Sequence, residues 1–140
     1  MLRQLSVFLE NRPGTLSHIT GLLAENGIDL RALFIAESTD YGMLRMIVSD
    51  TDKAIELLKE DGVPYDITEV VAVRVPDRPG GLAELLKNLS DENIDVHYMY
   101  SVFSKDNNQA LMVLKVSDVE LMNKVFKEKG IISEELDNLK

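Results

Sequence analysis

The chain repeats itself. Residues 11 to 30, NRPGTLSHITGLLAENGIDL, lie over residues 77 to 96, DRPGGLAELLKNLSDENIDV, at a constant offset of 66 and with seven identities in twenty: Arg, Pro, Gly, Leu, Leu, Ile and Asp. Further on the offset becomes 68, where VSDTD (48 to 52) matches VSDVE (116 to 120) and Gly62 matches Gly130. The second copy therefore carries two extra residues near SKDNNQA, a polar stretch of the kind a hairpin tip tolerates. A chain of 140 residues built from two such copies reads as two small units, 1–68 and 69–140. Neither half is a charged tail, since residues 1 to 66 hold 6 basic and 11 acidic side chains and residues 67 to 140 hold 9 and 13.

Each copy predicts the same series of elements. Leu5, Val7 and Leu9 alternate along a first strand, as do Val71, Val73 and Val75. The apolar stripes Leu16, Ile19, Leu22, Leu23 and Leu82, Leu85, Leu86, Leu89 then mark one face of a helix. A hairpin follows in each copy, with polar tips at TDYG and KDNNQA. Asp50 or Thr51, and Ser117 or Asp118, can cap a second helix that turns Ala54, Leu57 and Leu58, or Met122, Val125 and Phe126, inward and stops at Gly62 or Gly130. The order is β-α-β-β-α with a closing β. The segment 65–75 has to hold both the last strand of the first unit and the first strand of the second, and the closing strand of the second unit stays open between a short, a frayed and a borrowed one. The fold class expected is α+β: two ferredoxin-like βαββαβ units packed side by side, an antiparallel sheet with helices on one face. Such a sheet leaves a face to cover, and Leu33, Ile35, Met99 and Phe103 are expected to supply an apolar patch there and to drive homodimer formation.

The fold fixes no function, and the repeated turn is the place to look for one. Pro13 and Pro79 suit the first position of a helix, Asn11 and Asp77 can accept from its unpaired amides, and Gly14 and Gly80 keep the backbone open to close approach. A helix start with bare amides suits a small anion such as a carboxylate. Composition removes several competitors. The formal net charge of -9 repels phosphate backbones and anionic lipid, so neither nucleic acid nor membrane is an expected partner. With no Cys there is no thiolate metal site, and nothing resembles a signal peptide or a membrane span, so a cytoplasmic location is expected. Asp50, Asp52, Asp118 and Glu120 read as helix-capping groups, because two carboxylates per cluster without His are too few ligands for a metal. No Walker motif, HExxH or nucleophile elbow is present, no cofactor is implied, and the chain reads as non-catalytic.

The pattern of a strand, [N/D]-x-P-G-x-L, an amphipathic helix, [N/G]-I-D, a hairpin and a helix resembles the ACT domain, the small-molecule sensing module of many enzymes of amino-acid metabolism. ENRPGTLSHITGLLAENGIDL is especially similar to the ACT segments of phosphoglycerate dehydrogenase and of the acetolactate synthase regulatory subunit, and the resemblance covers nearly the whole chain twice. It implies an amino-acid effector, bound at an interface between ACT units by the turn after the first strand and the start of the second. Carried over to this sequence, the implied ligand-binding positions are Asn11, Arg12, Pro13, Gly14, Thr15, Leu16, Ile28 and Asp29 in the first copy and Asp77, Arg78, Pro79, Gly80, Gly81, Leu82, Ile94 and Asp95 in the second. Leu9 and Val75 stand where serine-binding members carry a polar residue, which implies an apolar amino acid. The partners implied are that effector, a second copy of the chain, and a separate metabolic enzyme or regulator on which it acts. A different class of function is a ligand-free ACT module that mediates subunit association.

Other residues have plainer readings. His18 is expected in solvent, beside the apolar face of its helix, and His97 recurs as a basic position opposite Arg31. Tyr98, Met99, Tyr100 and Phe103 read as sheet core or dimer surface. The two turns are not equivalent: Thr15 becomes Gly81, and Asn11, a donor and acceptor, becomes Asp77, which only accepts and repels a carboxylate. The first turn is expected to be the better carboxylate site.

Overall fold

In the computed structural model, which describes residues 2–37, 41–103, 109–131 and 133–134, the chain forms two compact units, Arg3–Thr68 and Glu69–Lys140 with Met1–Leu2. The first unit is built from β1 (Leu2–Glu10), α1 (Thr15–Glu25), β2 (Leu30–Glu37), β3 (Tyr41–Val48), α2 (Thr51–Glu60) and the start of β4 (Tyr65–Pro76). The second takes the rest of β4, then α3 (Gly81–Asp91), β5 (Val96–Ser101), β6 (Gln109–Val116), α4 (Val119–Lys129) and β7 (Ser133–Glu134). The fold is α+β, and each unit is ferredoxin-like in its element order. The 12-residue strand β4 runs through the boundary between Thr68 and Glu69 without a break, so a single strand supplies what the sequence asks of 65–75. Of the closing strand of the second unit, the described residues show β7, where Ser133 pairs with Val73 and Glu134 with Ala72 of β4. Thr39, Asp40 and residues 105–108 of the two hairpin tips lie outside the described residues, and with them most of the insertion.

The strand pairs within each unit are antiparallel. In the first unit β3 lies between β1 and β2, with Val7 opposite Leu44 and Leu33 opposite Met46. In the second, β6 lies between β4 and β5, with Val73 opposite Met112 and Met99 opposite Leu114. The alternating residues of the first strands meet the helix stripes in two cores. Leu5, Val7 and Leu9 pack with Ile19, Leu23, Ala54 and Leu58, while Val71, Val73 and Val75 pack with Leu85, Leu89, Met122, Val125 and Phe126. Burial of each large side chain here is worth about 1.5–3 kcal/mol.

Leu33 and Met99 belong to these cores, not to an uncovered sheet face. The reason is a bulge at the same place in each copy. The register shifts between Leu30 and Ala32 and between Val96 and Tyr98, so Arg31 and His97 are extra residues that invert the face of all that follows. Leu30 and Leu33, three apart, thereby reach the same core, as do Val96 and Met99. Of the apolar patch expected, Ile35 and Phe103 stay exposed, joined by Phe8 and Tyr41.

The four helices of the described residues stop in the same way. Gly27, Gly62 and Gly130 sit at φ 71, 70 and 70°, and Asn93 takes the corresponding place at 60°. The next N–H in each case reaches back five residues, Ile28 to Leu23, Val63 to Leu58, Ile94 to Leu89 and Ile131 to Phe126, at 2.8–3.0 Å. This is a Schellman ending, which satisfies the last carbonyls and drives an apolar residue into the core. α2 and α4 also begin alike, with the carboxylates of Asp50 and Asp118 accepting from the N–H of Lys53 (3.1 Å) and Leu121 (2.9 Å).

Candidate functional site

The repeated turn takes the same backbone in both copies. Gly14 and Gly80 each hold φ 89° and are the N-caps of α1 and α3, with no side-chain capping bond. Pro13 and Pro79 therefore precede the cap rather than opening the helix, and Asn11 and Asp77 do not cap the helix. The left-handed glycine turns the chain from the strand into the helix at a φ that an L side chain adopts at a cost of roughly 1–2 kcal/mol. The Gly14 carbonyl accepts from His18 N–H (2.9 Å), and the Gly80 carbonyl from Glu84 N–H (3.0 Å).

Beyond the backbone the copies part. In the first turn Thr15 donates its hydroxyl to the Arg12 carbonyl (3.1 Å), and Arg12 is drawn to the strand, its Nε 2.9 Å from Glu10 Oε2. In the second, Gly81 N–H donates to the Arg78 carbonyl (3.1 Å), and a Cβ built on Gly81 would lie 2.1 Å from the Pro76 carbonyl oxygen. No side chain like that of Thr15 fits there. Arg78 turns toward the helix instead, 3.0 Å from the carboxylate of Glu84 in the first turn of α3. The first turn of α1 has no acidic residue. A negative group at a helix start is favoured by the helix dipole, and the second copy carries its own.

Two grooves flank the first turn. One, of about 250 Å³, runs along Asn11, Arg12, Thr15 and Leu16 toward Leu9, Ile35 and Gly42. The other, of about 500 Å³, lies on the far side of Arg12 and Thr15, between Phe8 and Tyr41 at one wall and His18, Asp61, Gly62, Val63 and Pro64 at the other. His18 Nε2 is 2.7 Å from Asp61 Oδ2, a link between α1 and the end of α2. Phe8 and Tyr41 have ring centroids 6.1 Å apart at an interplanar angle of 53°. Both volumes suit a small ligand or part of one.

The remaining implied positions lie elsewhere in their units. Ile28 and Ile94 are buried in the two cores. Asp29 N–H donates to Ser49 Oγ (2.9 Å) while Ser49 N–H donates to the Asp29 carbonyl (2.9 Å), and Asp95 and Ser117 repeat the exchange at 3.0 and 2.9 Å. Asp29 thus sits beside the end of β3, whereas the turn sits beside its start, where Glu10 pairs with Tyr41. Within one unit the turn and the Ile-Asp motif stand at opposite ends of the sheet. Ile94 and Asp95 line a separate groove of about 670 Å³ with Asn93, Val96 and Ser117. Leu82, at the second turn, is exposed.

Phe8, His18, Tyr41 and Asp61 were not among the positions the motif implies. Their counterparts in the second copy are Arg74, Glu84, Gln109 and Lys129, a difference shared with most aligned positions, so no signal in the sequence singles them out. Among the described residues, no three His, Asp or Glu side chains come together as a metal site, and no helix is long and apolar enough to cross a membrane.

Comparison with known proteins agrees with this architecture. Among curated proteins none matches the chain. Of solved structures, protein BT0572 from Bacteroides thetaiotaomicron is 43% identical, with a TM-score of 0.93 over 99% of this chain and 94% of that one. The regulatory subunit of aspartate kinase from Thermus thermophilus, in its ligand-free form, has a TM-score of 0.66 over 90% of each chain at 12% identity, a likeness of fold alone. The corresponding subunit from Thermus flavus scores 0.62 at 13% identity over 89% of this chain and 88% of that one. The model of the family described as the ACT domain pair matches residues 1–139, and with the two ferredoxin-like units and the doubled Pro-Gly turn this establishes that the chain belongs to the ACT domain pair family.

Proposed function

We propose that the chain is a non-catalytic regulatory module that binds an apolar amino acid at its first turn, Asn11–Leu16, and acts on a separate enzyme or regulator of amino-acid metabolism. The observation that carries this reading is the pair of grooves meeting at Arg12 and Thr15, where cationic and polar groups stand beside Leu9, Leu16 and Ile35. A zwitterion finds there an arginine for its carboxylate, acidic groups for its ammonium and an apolar wall for its side chain. Membership of the ACT domain pair family supports the class of ligand, and the aspartate kinase subunits of like fold are themselves named as regulatory.

A thermal-shift screen of the twenty amino acids tests it. A ligand at a hundred times its Kd stabilises the folded state by about 2.7 kcal/mol. For a chain of this size that raises Tm by roughly 5–10 °C. An apolar amino acid is expected to give such a shift, and none giving any would refute the reading.

The second reading, an assembly module without a ligand, is favoured by exposed Ile35 (45%) and Phe103 (61%), apolar side chains that a second copy can cover. Constitutive self-association together with a blank screen would select it.

A further inference from the structure

Granting an amino-acid effector, we infer that it is an aromatic amino acid, seated on the Asp61 side of the first turn, and that each chain holds one. The larger groove supplies a different group for each part of such a molecule. Phe8 and Tyr41, 40% and 46% exposed, line it as a tilted ring pair, an arrangement that a third aromatic ring can join. Arg12 is engaged through Nε by Glu10, which leaves its terminal nitrogens to grip a carboxylate. Asp61 Oδ2 faces His18, and a carboxylate accepts at more than one site, so Asp61 can also take an ammonium.

The second copy has lost this chemistry piece by piece. At the positions of Phe8 and Tyr41 stand Arg74 and Gln109, so the aromatic pair is gone. The acidic Asp61 has become Lys129, which repels an ammonium, and His18 has become Glu84, which already occupies Arg78 at 3.0 Å. Arg12 and Gly14 keep their counterparts in Arg78 and Gly80, so the backbone of the turn has been retained while the groove beside it has not. These changes remove the ring pair and the acidic partner from the second copy and occupy its arginine, which is what a single binding site per chain requires. Residues that serve only the fold, such as Leu23 and Leu89, or Leu58 and Phe126, stay apolar in both copies.

Calorimetry with L-phenylalanine on the full chain tests the inference. The expected stoichiometry is one per chain, with 3-phenylpropionate, which lacks the ammonium, binding roughly tenfold or more weakly. Asp61→Asn should weaken L-phenylalanine by a similar factor but leave 3-phenylpropionate unchanged, because variant and analogue remove the same contact. Phe8→Ala should weaken both ligands, and Phe103→Ala, which removes an exposed aromatic ring of the second unit that lines neither groove, should weaken neither. Circular dichroism of each variant should match the wild type, since all three side chains are partly in solvent. Two ligands per chain, or equal loss of both ligands in Asp61→Asn, would overturn the inference. So would loss of affinity in Phe103→Ala but not in Phe8→Ala, or stabilisation by aliphatic but not aromatic amino acids; these outcomes leave the amino-acid reading standing. A blank screen removes both.

Discussion

Two glycines in this chain are needed for opposite reasons, and substitution separates them. Gly14 has nothing within 4 Å of where a Cβ would stand, yet its φ is 89°, so Gly14→Ala should cost about 1–2 kcal/mol through backbone strain alone. Gly81 is helical, and its Cβ would fall 2.1 Å from the Pro76 carbonyl oxygen, so Gly81→Ala should cost roughly 1–3 kcal/mol through overpacking. Urea denaturation measures both. The reverse exchange in the other copy, Thr15→Gly, loses one exposed hydroxyl bond and should cost less than about 1.5 kcal/mol. For ligand affinity, Asn11→Ala should be more damaging than Asp77→Ala, since Asn11 lines a groove beside Arg12 and Asp77 stands at a turn whose arginine is already held by Glu84. Calorimetry with the amino acid that stabilises most decides this, and greater loss in Asp77→Ala would assign the effector to the second turn.

At the scale of elements, the caps carry local stability that can be read out one at a time. Asp50→Ala and Asp118→Ala should each lower stability by about 1 kcal/mol, seen as a lower urea midpoint with unchanged slope. Asn93→Ala should cost roughly 1 kcal/mol as well, because Asn holds a left-handed φ that Ala resists. The caps of α2 and α4 were legible in the sequence, because Asp50 and Asp118 precede, and Gly62 and Gly130 follow, an apolar stripe of helical period. The helix starts at Gly14 and Gly80 were read less well: Pro before Gly suggests a first helical position, but the left-handed glycine spends one more residue on the turn. The faces of Leu33 and Met99 were misread for a different reason. Strict alternation carries no mark of a bulge, and Arg31 and His97 are ordinary strand residues in every local respect. The His18–Asp61 link joins residues 43 apart in two different helical ends, which no local pattern announces.

For the whole molecule, duplication is what made the fold readable, since each copy checks the other, and the same duplication makes the loss of symmetry informative. Exposed Ile35 and Phe103 lead us to expect at least a homodimer, which sedimentation velocity at high micromolar concentration would detect. A strict monomer with and without amino acids would contradict that. The net charge of -9 predicts no binding to DNA or RNA at physiological salt. The central claim is that one of the two turns is an effector site and the other is not. A crystal structure of the chain soaked with the amino acid that stabilises it most tests this directly. The account predicts ligand density at the first turn, touching Arg12 and the groove beside it, with nothing bound at Asp77–Leu82. Density at the second turn, at both turns alike, or at neither would contradict it.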